Sequence, residues 1–92
     1  MSEYVIDLPE SLTIHHIEEH YGNLKMAFLA EADTFKINAS NVESIDTAGL
    51  QALLILVKDA VEKQKNVLWQ SPSESITTGA SKLGLTEKLK LA

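Results

Sequence analysis

The sequence contains no cysteine, which excludes disulfide bonds and thiolate metal sites. Basic residues are also few: the sequence has 8 basic and 13 acidic residues, which gives a net charge of −5. This balance argues against nonspecific binding to nucleic acid or to an anionic membrane. The apolar stretch at residues 53–57 is far too short to insert into a bilayer.

Targeting and low-complexity features are missing as well. The first four residues, Met1-Ser2-Glu3-Tyr4, place no basic segment before an apolar one, so a secretory signal is not expected. The chain also lacks internal repeats, low-complexity segments and a linker. Its 92 residues, 45% hydrophobic and 23% charged, are typical of a globular protein with one modest core. We therefore expect a single cytoplasmic domain over residues 1–92.

Strands and helices alternate along the predicted chain. Hydrophobic periodicity predicts strands at residues 4–8, 34–39 and 66–70 and helices at residues 14–30, 47–64 and 73–84. Thr13 is the expected N-cap of the first helix, whose apolar stripe consists of Ile17, Tyr21, Leu24 and Phe28. Alternation with short connections predicts the α/β class, with a small sheet covered by helices.

The predicted helix at residues 47–64 has two apolar faces. One face, expected to pack on the sheet, consists of Leu50, Leu53, Leu54, Val57 and Val61. The opposite side carries Ala48, Ala52 and Ile55, with Leu56 toward its edge. Two interpretations stay open for this second face: the last helix or a terminus covers it, or it is a docking surface for a partner protein.

A short polar turn leads directly into this helix. Asp46 or Thr47 is expected to cap it, because a side-chain oxygen there can accept from the unpaired amides of the first turn. The same turn exposes a hydroxyl, a carboxylate and free amide donors together. It is therefore a place where a small polar or phosphoryl signal could be recognised.

The motif in this turn resembles that of the STAS domain, the family named for sulfate transporters and anti-sigma factor antagonists. The family signature is an aspartate, two small residues that are often hydroxylated, a glycine and a leucine at a helix start after a strand. The resemblance extends over most of the chain and rests on four segments: Ile45-Asp46-Thr47-Ala48-Gly49-Leu50 followed by Leu53-Leu54, Leu8-Pro9-Glu10, Val67-Leu68-Trp69, and Lys82-Leu83-Gly84-Leu85.

This resemblance implies a non-enzymatic regulatory module without a cofactor, in which the helices pack mainly on one face of a small central sheet. It implies docking through the loop at residues 44–47 and the start of the following helix. The expected contact residues are Ser44, Asp46, Thr47, Ala48, Gly49, Ala52, Ile55 and Leu56.

The resemblance also bears on regulation and on the type of partner. In the sigma-factor branch an anti-sigma kinase phosphorylates a serine just before the glycine, but Ala48 occupies that position here and has no hydroxyl. Thr47 is the nearest possible phosphoacceptor. The Asp-Thr-small-Gly-Leu sequence also resembles the STAS subunit of bacterial phospholipid ABC transporters. The implied partner is therefore an anti-sigma kinase-like protein, another signalling protein or a transporter ATPase.

Two catalytic alternatives arise from the residues themselves. His16, Glu19 and His20 fit the spacing of an inverted zinc-protease motif and would indicate a small metal-dependent hydrolase. Such a site needs a third ligand and a catalytic pocket, and one small core provides neither clearly. Asp46 after a strand could instead be a receiver-type phosphoaspartate, with Asp7 as a further acid, although no adjacent acidic pair follows the first strand.

Overall fold

The computed structural model describes residues 2–91, which contain five strands and three helices. In chain order they are β1 (Glu3–Asp7), β2 (Ser11–Leu12), α1 (Ile17–Ala27), β3 (Thr34–Asn38), β4 (Ser44–Ile45), α2 (Thr47–Glu62), β5 (Asn66–Gln70) and α3 (Glu74–Lys82).

The main sheet is parallel, with strand order β1-β3-β5. Because side chains alternate along each strand, one face carries the fully buried Phe35 and Ile37 of the central strand. The helices cover this face. The other face carries Lys36, flanked in register by Val5 and Leu68, both of which are exposed. The predicted α/β class, with helices mainly on one face, is confirmed.

A second, two-stranded sheet was not predicted from the sequence. It pairs β2 with β4 in parallel, Ser11 with Ser44 and Leu12 with Ile45. Two residues are too few for an alternation pattern to emerge from the sequence. This small sheet has a structural consequence, because it places residues 11–12 against the start of α2.

Helix α1 is shorter than the predicted helix at residues 14–30. It begins at Ile17 with His16 as N-cap and no side-chain capping bond, so Thr13 is not the cap. The preceding residues form a turn, in which Ile14 donates its backbone N–H to the carboxylate of Asp46 at 2.9 Å. This long-range bond holds the turn against α2. The apolar stripe is correct: Leu24 and Phe28 are buried, and Ile17 and Tyr21 pack partly against the core.

Helix α2 buries a somewhat different face from the predicted one. Leu50, Leu53 and Val57 are in the core as expected, each contributing about 1.5–3 kcal/mol before the entropy cost. Leu56 is also in the core, whereas Val61 is 37% exposed. The buried face is thus rotated toward Leu56, which lies between α2 and the rest of the core.

The segment after α3 closes one end of the core. Leu85 and Leu89 are buried, and the indole Nε1 of Trp69 donates to the backbone carbonyl of Leu89 at 2.7 Å. The tail is therefore fixed to β5 by a partly buried hydrogen bond as well as by two leucines.

Candidate functional site

Asp46 connects the start of α2 to a distant part of the chain. One carboxylate oxygen, Oδ1, accepts from the backbone N–H of Gly49 at 3.1 Å and caps the helix. The other, Oδ2, accepts from the N–H of Ile14 at 2.9 Å. The donation from Ile14, with a smaller contribution from Gly49, holds the pKa of Asp46 below its usual value, against a lesser opposing effect of burial.

Gly49 lies where α2 passes closest to the small sheet. A Cβ at this position would overlap the backbone carbonyl oxygen of Leu12 and come within 2.9 Å of Ile45 Cγ1. Only glycine allows the helix to approach the backbone of β2 this closely. Gly49 and Asp46 together fix the first turn of α2, which carries Thr47 and Ala48.

Thr47 is exposed at the first position of α2 and faces a groove of about 690 Å³. This groove, which we call the α2–α3 groove, lies between the loop before α2 and helix α3. Its polar lining includes Thr13, Glu43, Ser44, Asp46, Glu74, Ser75, Thr78 and Lys82. A hydroxyl at the positive end of the α2 dipole is therefore accessible to an enzyme or a partner.

Ala48 faces a different groove, on the other side of the same turn. We call it the α1–α2 groove: it has a volume of about 450 Å³ and almost entirely apolar walls. Ile17 and Tyr21 of α1 form one wall; Ala48, Ala52 and Ile55 of α2 form the other. Ile55 is 57% exposed at its rim. The second apolar face of α2 is thus open only in part: Ile55 is exposed and Ala48 partly so, whereas Ala52 and Leu56 are buried.

The structure separates the expected contact residues into accessible and buried ones. Ser44 and Thr47 are exposed with Ile55, and Ala48 is partly accessible. Leu56 is only 4% exposed and belongs to the core, so it cannot contact a partner without unfolding. Gly49 is buried against β2 and supports the turn rather than facing outward. Ala52 is nearly buried, yet its side chain forms part of the groove wall.

Several groove residues were missed by sequence reasoning. Ile17 and Tyr21 were assigned to the core because their spacing fits an apolar stripe, and that spacing is the same for a residue at the core edge. Glu74 and Thr78 were not singled out, since only the packing of α3 beside α2 brings them to the α2–α3 groove.

The histidines of α1 do not form a metal centre in the described structure. Within residues 2–91 no three His, Cys, Asp or Glu side chains are placed to hold one metal ion. His16 is engaged locally, its Nδ1 lying 3.2 Å from the hydroxyls of both Ser11 and Thr13. The alternative of a hydrolase built on His16, Glu19 and His20 therefore has no structural support.

The receiver-type alternative has no structural support either, because no three His, Cys, Asp or Glu side chains within residues 2–91 are placed to hold the metal ion that such a site needs. Both carboxylate oxygens of Asp46 accept from backbone amides. Asp7 accepts from the side-chain amide of Asn38 at 2.8 Å, at the end of the main sheet. Asp46 is thus a structural residue of the turn.

The model of the STAS domain family matches residues 2–92, nearly the whole sequence. The chain belongs to the STAS domain family. This assignment agrees with the α/β sheet and with the aspartate-capped turn before α2.

Solved structures show the same fold. A sulfate transporter family protein from Wolinella succinogenes superimposes with a TM-score of 0.76 at 14% identity, over 95% of this chain and 70% of that one. The anti-sigma factor antagonist SpoIIAA in its unphosphorylated form gives 0.71 at 18% identity, over 94% and 76%. At such identities the likeness establishes the STAS fold alone. No curated protein matches the sequence, and none of the helices in residues 2–91 has the length and apolarity needed to cross a membrane.

Proposed function

We propose that this STAS domain is a non-enzymatic regulatory module that binds a partner protein through the α1–α2 groove and the adjoining turn at Ser44 to Thr47. The observation that carries the proposal is the groove itself. It is an apolar depression beside an exposed hydroxyl at a helix N-terminus.

The composition of the groove suits a protein ligand. Ala48, Ala52 and Gly22 are small, so a partner side chain can approach the α2 backbone closely. Ile55 and Tyr21 provide apolar area at the rim, and an aromatic residue of this kind is often a binding hot spot. Glu18 and Gln51 supply polar groups at the border of the groove. An apolar centre with a polar border is typical of protein–protein interfaces.

Regulation is proposed at Thr47, which lines the α2–α3 groove and is next in the chain to Ala48 of the α1–α2 groove. A phosphate there would add about −1.5 to −2 charges. The amides of the helix N-terminus would tolerate the phosphate within the folded domain, whereas the added charge would have to be buried against an apolar partner. Phosphorylation is therefore expected to release the partner while leaving the domain folded. An anti-sigma kinase-like protein, another signalling protein and a transporter ATPase all fit this proposal.

Ile55→Asp tests the proposed docking surface. Because Ile55 is exposed, the substitution should change the free energy of unfolding by no more than about 0.5 kcal/mol. A charge facing an apolar partner should weaken binding at least about tenfold, equivalent to roughly 1.4 kcal/mol. The wild-type chain and the variant serve as baits in extracts of the source cells, bound proteins are identified by mass spectrometry, and the purified candidate is titrated calorimetrically.

Val61→Asp is the matched control, since it places the same charge at an exposed apolar position of the same helix but outside the groove. A partner retained by the wild type and by Val61→Asp but lost by Ile55→Asp binds at the α1–α2 groove. If all three baits retain the same proteins equally, the groove is not the docking site.

A further inference from the structure

The two outer strands of the main sheet differ in a way that the docking proposal does not use. Among residues 2–91, β1 and β5 each pair with β3 on one side only. An edge strand offers unpaired backbone groups to another strand, and proteins commonly protect such edges with charged residues. Strand β1 has this protection, because Glu3 and Asp7 stand at its ends. Strand β5, with the sequence Asn-Val-Leu-Trp-Gln, carries no charge at all.

The hydrogen bonds define which groups of β5 are available. Asn66 donates its N–H to Asp33 at 2.9 Å, and the carbonyl of Gln70 accepts from Ala39 at 3.2 Å. Both residues therefore turn their backbone groups toward β3. Because a parallel ladder uses alternate residues, Leu68 does the same. The N–H and C=O groups of Val67 and Trp69 then point away from β3.

We infer that β5 pairs with β5 of a second copy of this chain, antiparallel and centred on Leu68, so that two three-stranded sheets join into one of six strands. The pairing is self-complementary at every position. Val67 lies opposite the partner's Trp69, and these two exchange the outward-pointing hydrogen bonds. Asn66 lies opposite the partner's Gln70, so two neutral amides meet.

The pairing would remove exposed apolar surface from Leu68, the residue at its centre. Leu68 is 49% exposed on the uncovered face of the sheet. At a twofold axis it would lie directly against its own copy, in a close pair without backbone hydrogen bonds between the two residues. The same operation on β1 would set Glu3 against the partner's Asp7, and like charges directly opposite are destabilising. The charges therefore favour β5 over β1 as the self-pairing edge.

Single-cysteine variants test the geometry, and the natural absence of cysteine makes them unambiguous. Residues directly opposite in such a pair have Cβ atoms about 4.5–5.5 Å apart, within a small adjustment of disulfide distance. Leu68→Cys should therefore form a disulfide-linked dimer under mild oxidation, seen as a doubled mass without reductant. Val5→Cys is the matched control: Val5 is 51% exposed, on the same face, and Leu68 and Val5 flank Lys36 in one row.

Charge substitutions test the same pair without covalent chemistry. The wild type should shift from monomer toward dimer in sedimentation as its concentration rises from about 10 μM to about 1 mM, the range of a small interface. Leu68→Glu and Leu68→Lys should each remain monomeric, and an equimolar mixture of the two should dimerise again. Circular dichroism checks that both variants are folded.

Three results would overturn the inference: a wild type that stays monomeric throughout this range, Val5→Cys crosslinking as fast as Leu68→Cys, or a mixture that stays monomeric. Equal crosslinking would indicate sheets stacked face to face instead of joined edge to edge. The surface shares no residue with the α1–α2 groove. Failure here therefore leaves the docking proposal standing.

Discussion

At the scale of single residues, Asp46 and Gly49 have separate tasks in one turn. Asp46 binds two backbone amides that are 35 residues apart in the chain, Ile14 and Gly49. Gly49 allows α2 to touch the backbone of β2. The sequence predicted the cap, because capping depends on local spacing. It could not predict the bond to Ile14 or the contact with Leu12, which depend on the small sheet.

Replacing Asp46 should reveal its two bonds in steps. Asp46→Asn keeps one oxygen as the acceptor for the cap but places its NH₂ group, a donor, opposite the N–H of Ile14. We therefore expect a loss of about 1 kcal/mol in the free energy of unfolding. Asp46→Ala also removes the cap and should cost about 1 kcal/mol more. Urea denaturation at pH 7 measures both.

The pH dependence of the Asp46→Asn effect gives a further check. The pKa of Asp46 is lowered in the folded state relative to an unfolded value of about 3.9. Its stabilisation is therefore fully present above that value and is lost as the pH falls through the folded pKa. The difference between wild type and Asp46→Asn should be constant from about pH 5 to 7 and shrink below about pH 4. A difference that grows on acidification would contradict this assignment.

Gly49→Ala should destabilise the domain by about 1–3 kcal/mol, because the added methyl group must displace the backbone of β2 or the helix itself. Gly22→Ala is the control within a helix. No atom lies within 4 Å of a Cβ at Gly22, which is exposed in the middle of α1. That change should stabilise the domain by about 0.5–1 kcal/mol. Thermal unfolding of both variants should give shifts of opposite sign; similar shifts would mean that the close approach at Leu12 is not limiting.

At the scale of elements, the helices and long strands could be predicted from periodicity, and β5 was predicted to the residue. The errors have physical causes. The start of α1 lies at residue 17 instead of residue 14, after a separate turn that Ile14 ties to Asp46 by a long-range bond which helix periodicity does not encode. The orientation of α2 was misjudged by part of a turn, since helix periodicity does not distinguish Leu56 from Val61 until neighbouring elements are in place.

The first turn of α2 contains no acidic residue, so Thr47→Glu should be tolerated there. The negative charge interacts favourably with the helix dipole, and we expect a gain of about 0.3–1 kcal/mol in the free energy of unfolding. Binding of the native partner should nevertheless weaken, as it would on phosphorylation. Thr47→Gln, which is similar in size but neutral, separates the effect of charge from that of bulk. If both variants bind as tightly as the wild type, Thr47 lies outside the interface, whereas equal weakening of both would be an effect of bulk and not of charge.

At the scale of the whole molecule, alternation of strands and helices was sufficient to predict the fold class, and the motif around Asp46 to indicate the family. The candidate site was predictable only in part. Thr47 and Ile55 were predicted to be accessible because they lie on the polar turn and on the surplus apolar face of α2. The α1–α2 groove itself depends on how far apart two packed helices stand, which no spacing within either helix encodes.

Because Trp69 donates a hydrogen bond to Leu89, its intrinsic fluorescence can be used to follow the C-terminal tail. The chain has one tryptophan, so its fluorescence comes from one indole, positioned on β5 and tied to the C-terminal tail. A change in emission therefore reports release of the tail, whereas circular dichroism reports loss of the helices. Comparing the two signals during denaturation shows whether the tail leaves before the core opens or in the same cooperative step.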